Sequence, residues 1–191
     1  MYLKYLELVG FKSFGKRVRM VFEPGLIAIV GPNGSGKSNV VDAIRWVLGE
    51  QSMKNLRGDQ LDDVIFAGTK EARPLGKAKV ELTLDNSSGL LPVEFTEVSV
   101  SRTVYRNGDS EFAINRQSCR LRDIQELFLG TGLGRDGYGI IGQGQVDAFL
   151  AASSTERRLV LEEVAGISLY QRKKAEALRR LEQTASTLVR V

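Results

Sequence analysis

An α/β fold follows from three features of the sequence. Residues 31–39 read Gly31-Pro32-Asn33-Gly34-Ser35-Gly36-Lys37-Ser38-Asn39, a complete phosphate-binding loop of the form G-x-x-x-x-G-K-[ST]. The loop stands between the apolar run Leu26-Ile27-Ala28-Ile29-Val30 and a helical pattern from Val40 to Leu48, the strand–loop–helix order the motif requires. Alternating apolar runs elsewhere, two of them joined through Asn107-Gly108, add an antiparallel β region. The expected architecture is that of a P-loop NTPase core with an antiparallel β region beside it.

The elements follow in order. Leu3, Tyr5 (or Leu6) and Leu8 alternate in strand fashion into Gly10-Phe11-Lys12-Ser13-Phe14, and a second run passes through Val18, Met20 and Phe22. Pro24-Gly25 turns the chain into Leu26–Val30, which reads as a buried strand. Gly31, Gly34 and Gly36 let the backbone turn tightly, so that successive N–H groups point inward at phosphate oxygens. The helix beginning near Lys37 adds its positive N-terminal end. Lys37 is placed to reach the β/γ-phosphates of a nucleoside triphosphate, and the Ser38 hydroxyl to ligate Mg²⁺. To about Gly49, a plausible C-cap, Val40, Val41, Ile44, Val47 and Leu48 share one helix face.

Residues 50–70 read as mostly irregular. Ala78, Val80, Leu82 and Leu84 form one strand pattern; Val98, Val100, Arg102 and Val104 form another, turning through Asn107-Gly108 into Phe112 and Ile114. A helical pattern from Leu121 to Leu129 ends in the glycine-rich 130–134. Ser153-Ser154-Thr155-Glu156 is a capping box that opens a helix through Val164. After Gly166 comes a charged, helix-favouring tail in which Leu178, Leu181, Ala185 and Leu188 repeat at 3-4-3 spacing. That is short of the three or four heptads that define a coiled coil, so an amphipathic terminal helix is an equal reading. The chain stops without a capping or turn signal, as though cut rather than finished.

Composition narrows the class. The 191 residues are 42% hydrophobic and 26% charged, ordinary for a soluble globular protein with one good core. No apolar run approaches the roughly 20 residues needed to span a bilayer, and no signal-peptide pattern is present. The single cysteine, Cys119, rules out an internal disulfide and fits a reducing cytoplasm. A net charge of +4 is a weak hint of a polyanionic partner. The absence of histidine excludes histidine acid–base catalysis and a His-liganded zinc site.

A P-loop hydrolase also needs four apolar residues ending in an acid, to hold Mg²⁺ and orient water. Val80-Glu81-Leu82-Thr83-Leu84-Asp85 alternates and reads as a half-exposed strand; Leu159-Val160-Leu161-Glu162-Glu163 follows a capping box and reads as helix. Neither fits well. A guanine-reading Asn-Lys-x-Asp is absent, which argues against a GTPase. The nucleotide-binding half is present and the hydrolytic half is not.

Five motifs occur in order: Gly10-Phe11-Lys12-Ser13-Phe14; the phosphate loop; Asp42-Ala43-Ile44-Arg45-Trp46-Val47-Leu48-Gly49-Glu50-Gln51-Ser52; Ile65-Phe66-Ala67-Gly68; and Gly142-Gln143-Gly144-Gln145-Val146. Together, and across essentially the whole chain, they resemble the N-terminal head segment of bacterial SMC (structural maintenance of chromosomes) proteins. The resemblance implies an ABC-ATPase-like N-terminal lobe over residues 1–166, with the start of a coiled-coil arm over 167–191. It also explains the gaps. Such proteins split the ATPase head between the two ends of a long chain, so the Walker B acid, the signature loop and the late switch loop would lie in the C-terminal half.

The resemblance further implies residue roles. Pro32 to Asn39 would hold the phosphates of ATP. Gln143 would be the Q-loop glutamine, its amide oxygen touching Mg²⁺ and the attacking water. Lys12 and Ser13 would stand near the phosphates or ribose, and Arg57 would reach the phosphates and support hydrolysis. Two heads would enclose two ATP molecules, with a second SMC chain and a kleisin-type accessory subunit as partners. DNA would lie across the joined heads without sequence preference, contacted by Arg102, Arg106, Arg116, Arg120 and Arg122; the solvated face of a sheet is the plain alternative for these arginines. Rival readings are the head of a double-strand-break repair or recombination ATPase, a small P-loop kinase, and a non-hydrolysing ATP-clamped assembly module. The half-head reading also predicts an exposed apolar face and open sheet edges.

Overall fold

Alternating apolar residues in β1 (Tyr2–Val9), β3 (Lys77–Asp85) and β4 (Glu97–Tyr105) build one face of a six-stranded antiparallel sheet. The order is β2-β1-β3-β4-β5-β6, with β2 (Val18–Val21), β5 (Ser110–Ile114) and β6 (Gln117–Cys119). This computed structural model describes residues 1–134, 139–142, 145–155, 157–158, 162 and 167–188. They fall into two compact units, Met1–Leu127 and Phe128–Val191.

In the first unit the register puts Leu6, Leu82, Val100 and Ile114 in one cross-strand row, and Leu8, Val80, Arg102 and Phe112 in the next. Side chains two apart along a strand share a face. Leu6, Leu8, Ala78, Val80, Leu82, Leu84, Val98, Val100 and Val104 are accordingly all buried. Helix α1 (Lys37–Val47) packs over β3 and β4 and buries Val40, Ala43, Trp46 and Val47. The Phe11 and Trp46 rings meet at 5.4 Å. Val41, expected on the buried face, points outward instead.

Arg102 occupies a core position of this sheet and is 5% exposed. Its Nη1 donates to the carbonyls of Trp46 (3.0 Å) and Glu50 (2.8 Å), at the C-terminal end of α1. Its guanidinium lies 4.5 Å from the Trp46 ring and 5.2 Å from that of Phe112. A cation at a helix C-terminus meets the negative end of the dipole and free carbonyls. The expectation that Arg102 contacts DNA is therefore corrected: the period-two register that makes 98, 100 and 104 core makes 102 core as well. Burial pulls the Arg102 pKa down to about 10, so the group stays charged at neutral pH. Folding disfavours that charge at every pH below this value, and the cost is relieved only as pH rises through it.

The connections differ from expectation in places. Residues 50–70 contain two short 3₁₀ turns, Lys54–Leu56 and Leu61–Val64. Strand β6 was not signalled, because its hairpin turn uses Asn115 and Arg116 at φ 48° and 66° rather than a glycine. Helix α2 (Leu121–Leu127) closes the first unit. In the second unit α3 spans Gln145–Ala151, residues 154–155, 157–158 and 162 are helical, and α4 spans Ile167–Leu188. Glu156 of the expected capping box lies outside the described residues, while the Arg157 N–H donates to Ser153 O at 3.0 Å. Leu178, Leu181 and Leu188 of α4 are exposed.

The largest departure is Leu26–Val30. The segment forms no strand ladder among the described residues, and Leu26 is 102% and Val30 86% exposed. A run apolar at every position encodes a strand covered on both faces, as in a parallel sheet. The antiparallel sheet, which ends at β2 and β6, supplies it no neighbour.

Arg102→Ala is expected to lower stability by about 2–4 kcal/mol through lost packing and lost carbonyl partners, whereas exposed Arg120→Ala stays within about 0.5 kcal/mol. Denaturant titration of the two variants checks this; equal effects would contradict the buried placement.

Candidate phosphate-binding site

The phosphate loop is built by glycines, two of them in the left-handed backbone region that other residues rarely adopt. Gly36 caps α1 in the left-handed region, at φ 93°. A Cβ there would lie 2.8 Å from Ser13 Oγ and 3.4 Å from the Phe14 ring. Gly34 is also left-handed, at φ 82°. Lys37 folds back across the loop, its Nζ donating to the carbonyls of Gly31 (2.7 Å) and Pro32 (2.8 Å). Ser38 is exposed in the first turn of α1, and Pro32, Asn33 and Ser35 are exposed in the loop itself.

Two further segments close on this loop. The Gly10–Phe14 turn is anchored by the buried Phe11, bridged to Phe14 and Ile65, and by the Lys12 N–H donating to Val64 O at 2.8 Å. It holds Ser13 against Gly36, where Ser13 Oγ accepts from Asn39 Nδ2 at 2.8 Å. Arg57, left-handed at φ 54°, follows the 3₁₀ turn Lys54–Leu56. Its Nη2 donates to Asn39 Oδ1 (3.2 Å) and Asp42 Oδ2 (2.6 Å), and its Nε to Asp42 Oδ2 (3.2 Å). Lys12 Nζ donates to the same Asp42 oxygen at 2.6 Å and to Leu56 O. A continuous chain of polar contacts thus runs Ser13–Asn39–Arg57–Asp42–Lys12.

The structure brings Ser13 and Arg57 to the phosphate loop, and Lys12 to Asp42 just beyond it, from two separate stretches of sequence. Gln143 lies outside the described residues. Asp42, 4% exposed, was not anticipated as a site residue. The available signal was a carboxylate among the buried positions of an amphipathic helix, where an acid requires a partner.

The alternative acids have other partners. Asp85 pairs with Tyr2 and Lys79 with Val9, so Asp85 sits at the far end of β1, about 23 Å of strand from Gly10. Its carboxylate accepts the Ser87 N–H at 3.0 Å, which holds its pKa below the usual range. Glu162 is helical and ion-paired with Arg158 at 2.7 Å. Among the other arginines, Arg116 and Arg120 are exposed, and Arg122 pairs with Glu126 at 2.6 Å. The Nε of Arg106 donates to Leu75 O at 2.8 Å.

Comparison with known proteins identifies the family. The family model described as RecF/RecN/SMC N terminal domain matches residues 2–160. The chromosome partition protein Smc of Clostridium kluyveri is 54% identical over all of this chain, which spans 16% of that protein's length. The Smc head domain of Pyrococcus furiosus, solved with an extended coiled coil and bound to the C-terminal domain of ScpA, is 39% identical. It covers 99% of this chain, which matches 48% of it, at a TM-score of 0.82. A structure from work on ATP-driven dimerisation and DNA-stimulated activation of SMC ATPases is 39% identical, covering 86% of this chain and 99% of its own, at a TM-score of 0.77. An ATP-bound RecF structure, 22% identical over 65% of this chain and 29% of its own at a TM-score of 0.51, shares the fold alone. Motifs, fold and comparisons converge: the chain belongs to the RecF/RecN/SMC N terminal domain family, and within it to the SMC heads.

Proposed function

We propose that these residues are the ATP-binding N-terminal lobe of an SMC head, which becomes an ATPase when the C-terminal half of the same head completes it. One observation carries the reading. A phosphate loop with Ser13, Lys37 and Arg57 gathered round it is preceded by an apolar strand sequence, Leu26–Val30, that pairs with no strand among the described residues. The pattern is that of half a site attached to half a sheet.

The residues present suit a triphosphate. Gly36 is left-handed with Ser13 Oγ against it, the helix offers N-terminal N–H groups, and two cations, Lys37 and Arg57, contact the loop. Lys37 and the loop from Gly31 to Asn39 would hold the phosphates. Ser38 would help hold Mg²⁺, the role the resemblance also gives Gln143, which lies outside the described residues; among the described residues no cluster of three or more acidic, His or Cys side chains offers another metal site. Arg57 would support hydrolysis. Bound ATP with Mg²⁺ supplies the free energy that couples head engagement to chromosome condensation and segregation.

Leu26, Ile27, Ile29, Val30 and Val41 are exposed apolar side chains that docking of the C-terminal half would cover. Residues 1–166 would constitute the head lobe and 167–191 the start of the coiled-coil arm, its exposed Leu178, Leu181 and Leu188 awaiting a partner helix. The further partners are a second copy of the SMC chain in a homodimer, a kleisin-type subunit, and DNA. Arg106, Arg116, Arg120 and Arg122 would serve DNA phosphates without base reading. A cytoplasmic, nucleoid-associated protein fits these partners.

ATP turnover is expected only when this chain is mixed with a separately expressed C-terminal segment, and Lys37→Ala should lower it by about 100-fold or more. Robust turnover by the chain alone, or phosphate transfer to a small acceptor, would overturn the reading. Replacing Arg120 and Arg122 by Glu in the complete gene product should weaken duplex binding uniformly across sequences and reduce the log–log salt slope by about two. An unchanged slope would remove these residues from the DNA contact.

A further inference from the structure

We propose that Asp42 is the positioning residue of the phosphate site: its carboxylate sets where the Arg57 guanidinium stands, and this rests on the nucleotide-binding reading above. A buried carboxylate needs a counter-ion, and Lys12, with a side chain 11% exposed and 2.6 Å away, already provides one. Arg57 is therefore more than charge balance. Its side chain is 52% exposed, its backbone takes the left-handed conformation at φ 54°, and it still engages Asp42 Oδ2 through both Nε and Nη2. Half-exposed arginines gain little from ion pairing alone, and left-handed backbone is strained for a residue with a Cβ.

Orientation is what the arrangement achieves. Two of the three guanidinium nitrogens are committed to Asp42, and Nη2 also reaches Asn39 at the end of the phosphate loop. Nη1 has no hydrogen-bond partner among the described residues. The guanidinium is thus fixed in rotation with one nitrogen uncommitted, a preorganised donor beside the loop. The charges also fit. Lys12, Lys37 and Arg57 against Asp42 leave two net positive charges, and a triphosphate with one Mg²⁺ carries about two negative ones. Loss of the Asp42 charge should therefore not weaken nucleotide binding; it should release Arg57.

The test uses the complete gene product, with nucleotide affinity read by a fluorescent ATP analogue and kcat by phosphate release. Asp42→Asn is expected to lower kcat by about 10- to 100-fold while the analogue's Kd holds within about threefold or tightens. Asp42→Glu should recover part of the rate. In an Arg57→Ala background Asp42→Asn should add less than about twofold, because the residue acts through Arg57. Asp42→Asn strands the Lys12 ammonium, so Lys12→Met with Asp42→Asn, which removes both buried charges, is compared with Lys12→Met alone and should remain slower. An unchanged kcat, rate losses that multiply in the Arg57→Ala background, or a Kd that rises in step with the loss of kcat would overturn the assignment. Failure of the unmodified protein to bind the analogue would instead overturn the nucleotide reading beneath it.

Discussion

A β-strand is stable only when its N–H and C=O groups are paired, and Leu26–Val30, the segment that delivers the phosphate loop, pairs with no strand among the described residues. Leu26–Val30 leads directly into Gly31, so the position of the loop depends on how that segment is held. A fully exposed Leu26 and a largely exposed Val30 carry an apolar cost that only burial relieves. On the proposed reading, completion of the sheet and completion of the site are one event. A loop held from one side only would be poorly placed for chemistry, because transition-state stabilisation requires donors fixed in advance.

The other side of the loop is well held. Its helix, α1, is seated on the antiparallel sheet by Val40, Ala43, Trp46 and Val47, and its C-terminal carbonyls are gripped by the buried Arg102. The Phe11–Trp46 contact ties the Gly10–Phe14 turn to the same helix, which carries Ser13 to Gly36 and Lys12 to Asp42. Packing far from the loop thereby fixes the polar groups beside it. The antiparallel sheet orients the helix end of the site, and the proposed C-terminal half would hold the end at Leu26–Val30.

Much of this was legible in the chain. The phosphate loop, β3, β4, the Asn107-Gly108 hairpin and the α1 helix follow from spacing and periodicity, because each is specified locally. Arg102 was misread because an arginine looks like surface, although its even-numbered register with Val98, Val100 and Val104 assigns it to the core. Leu26–Val30 reads as buried because a run apolar at every position encodes a strand covered on both faces, and the described residues offer it no pairing strand. The turn at Asn115 and Arg116 carried no glycine to announce it. Asp42 was hidden for a different reason: its partners, Lys12 and Arg57, are 30 and 15 residues away, and only the folded chain brings them to one oxygen.

Hydrogen exchange at the amides of residues 26–30, with and without the C-terminal segment, addresses the central claim most directly. The account predicts exchange near the unstructured rate in this chain alone and strong protection once the C-terminal segment is added, as the ladder forms. Protection already present in the lone chain, or none gained on mixing, would contradict the view that the phosphate-loop strand is completed by another part of the protein.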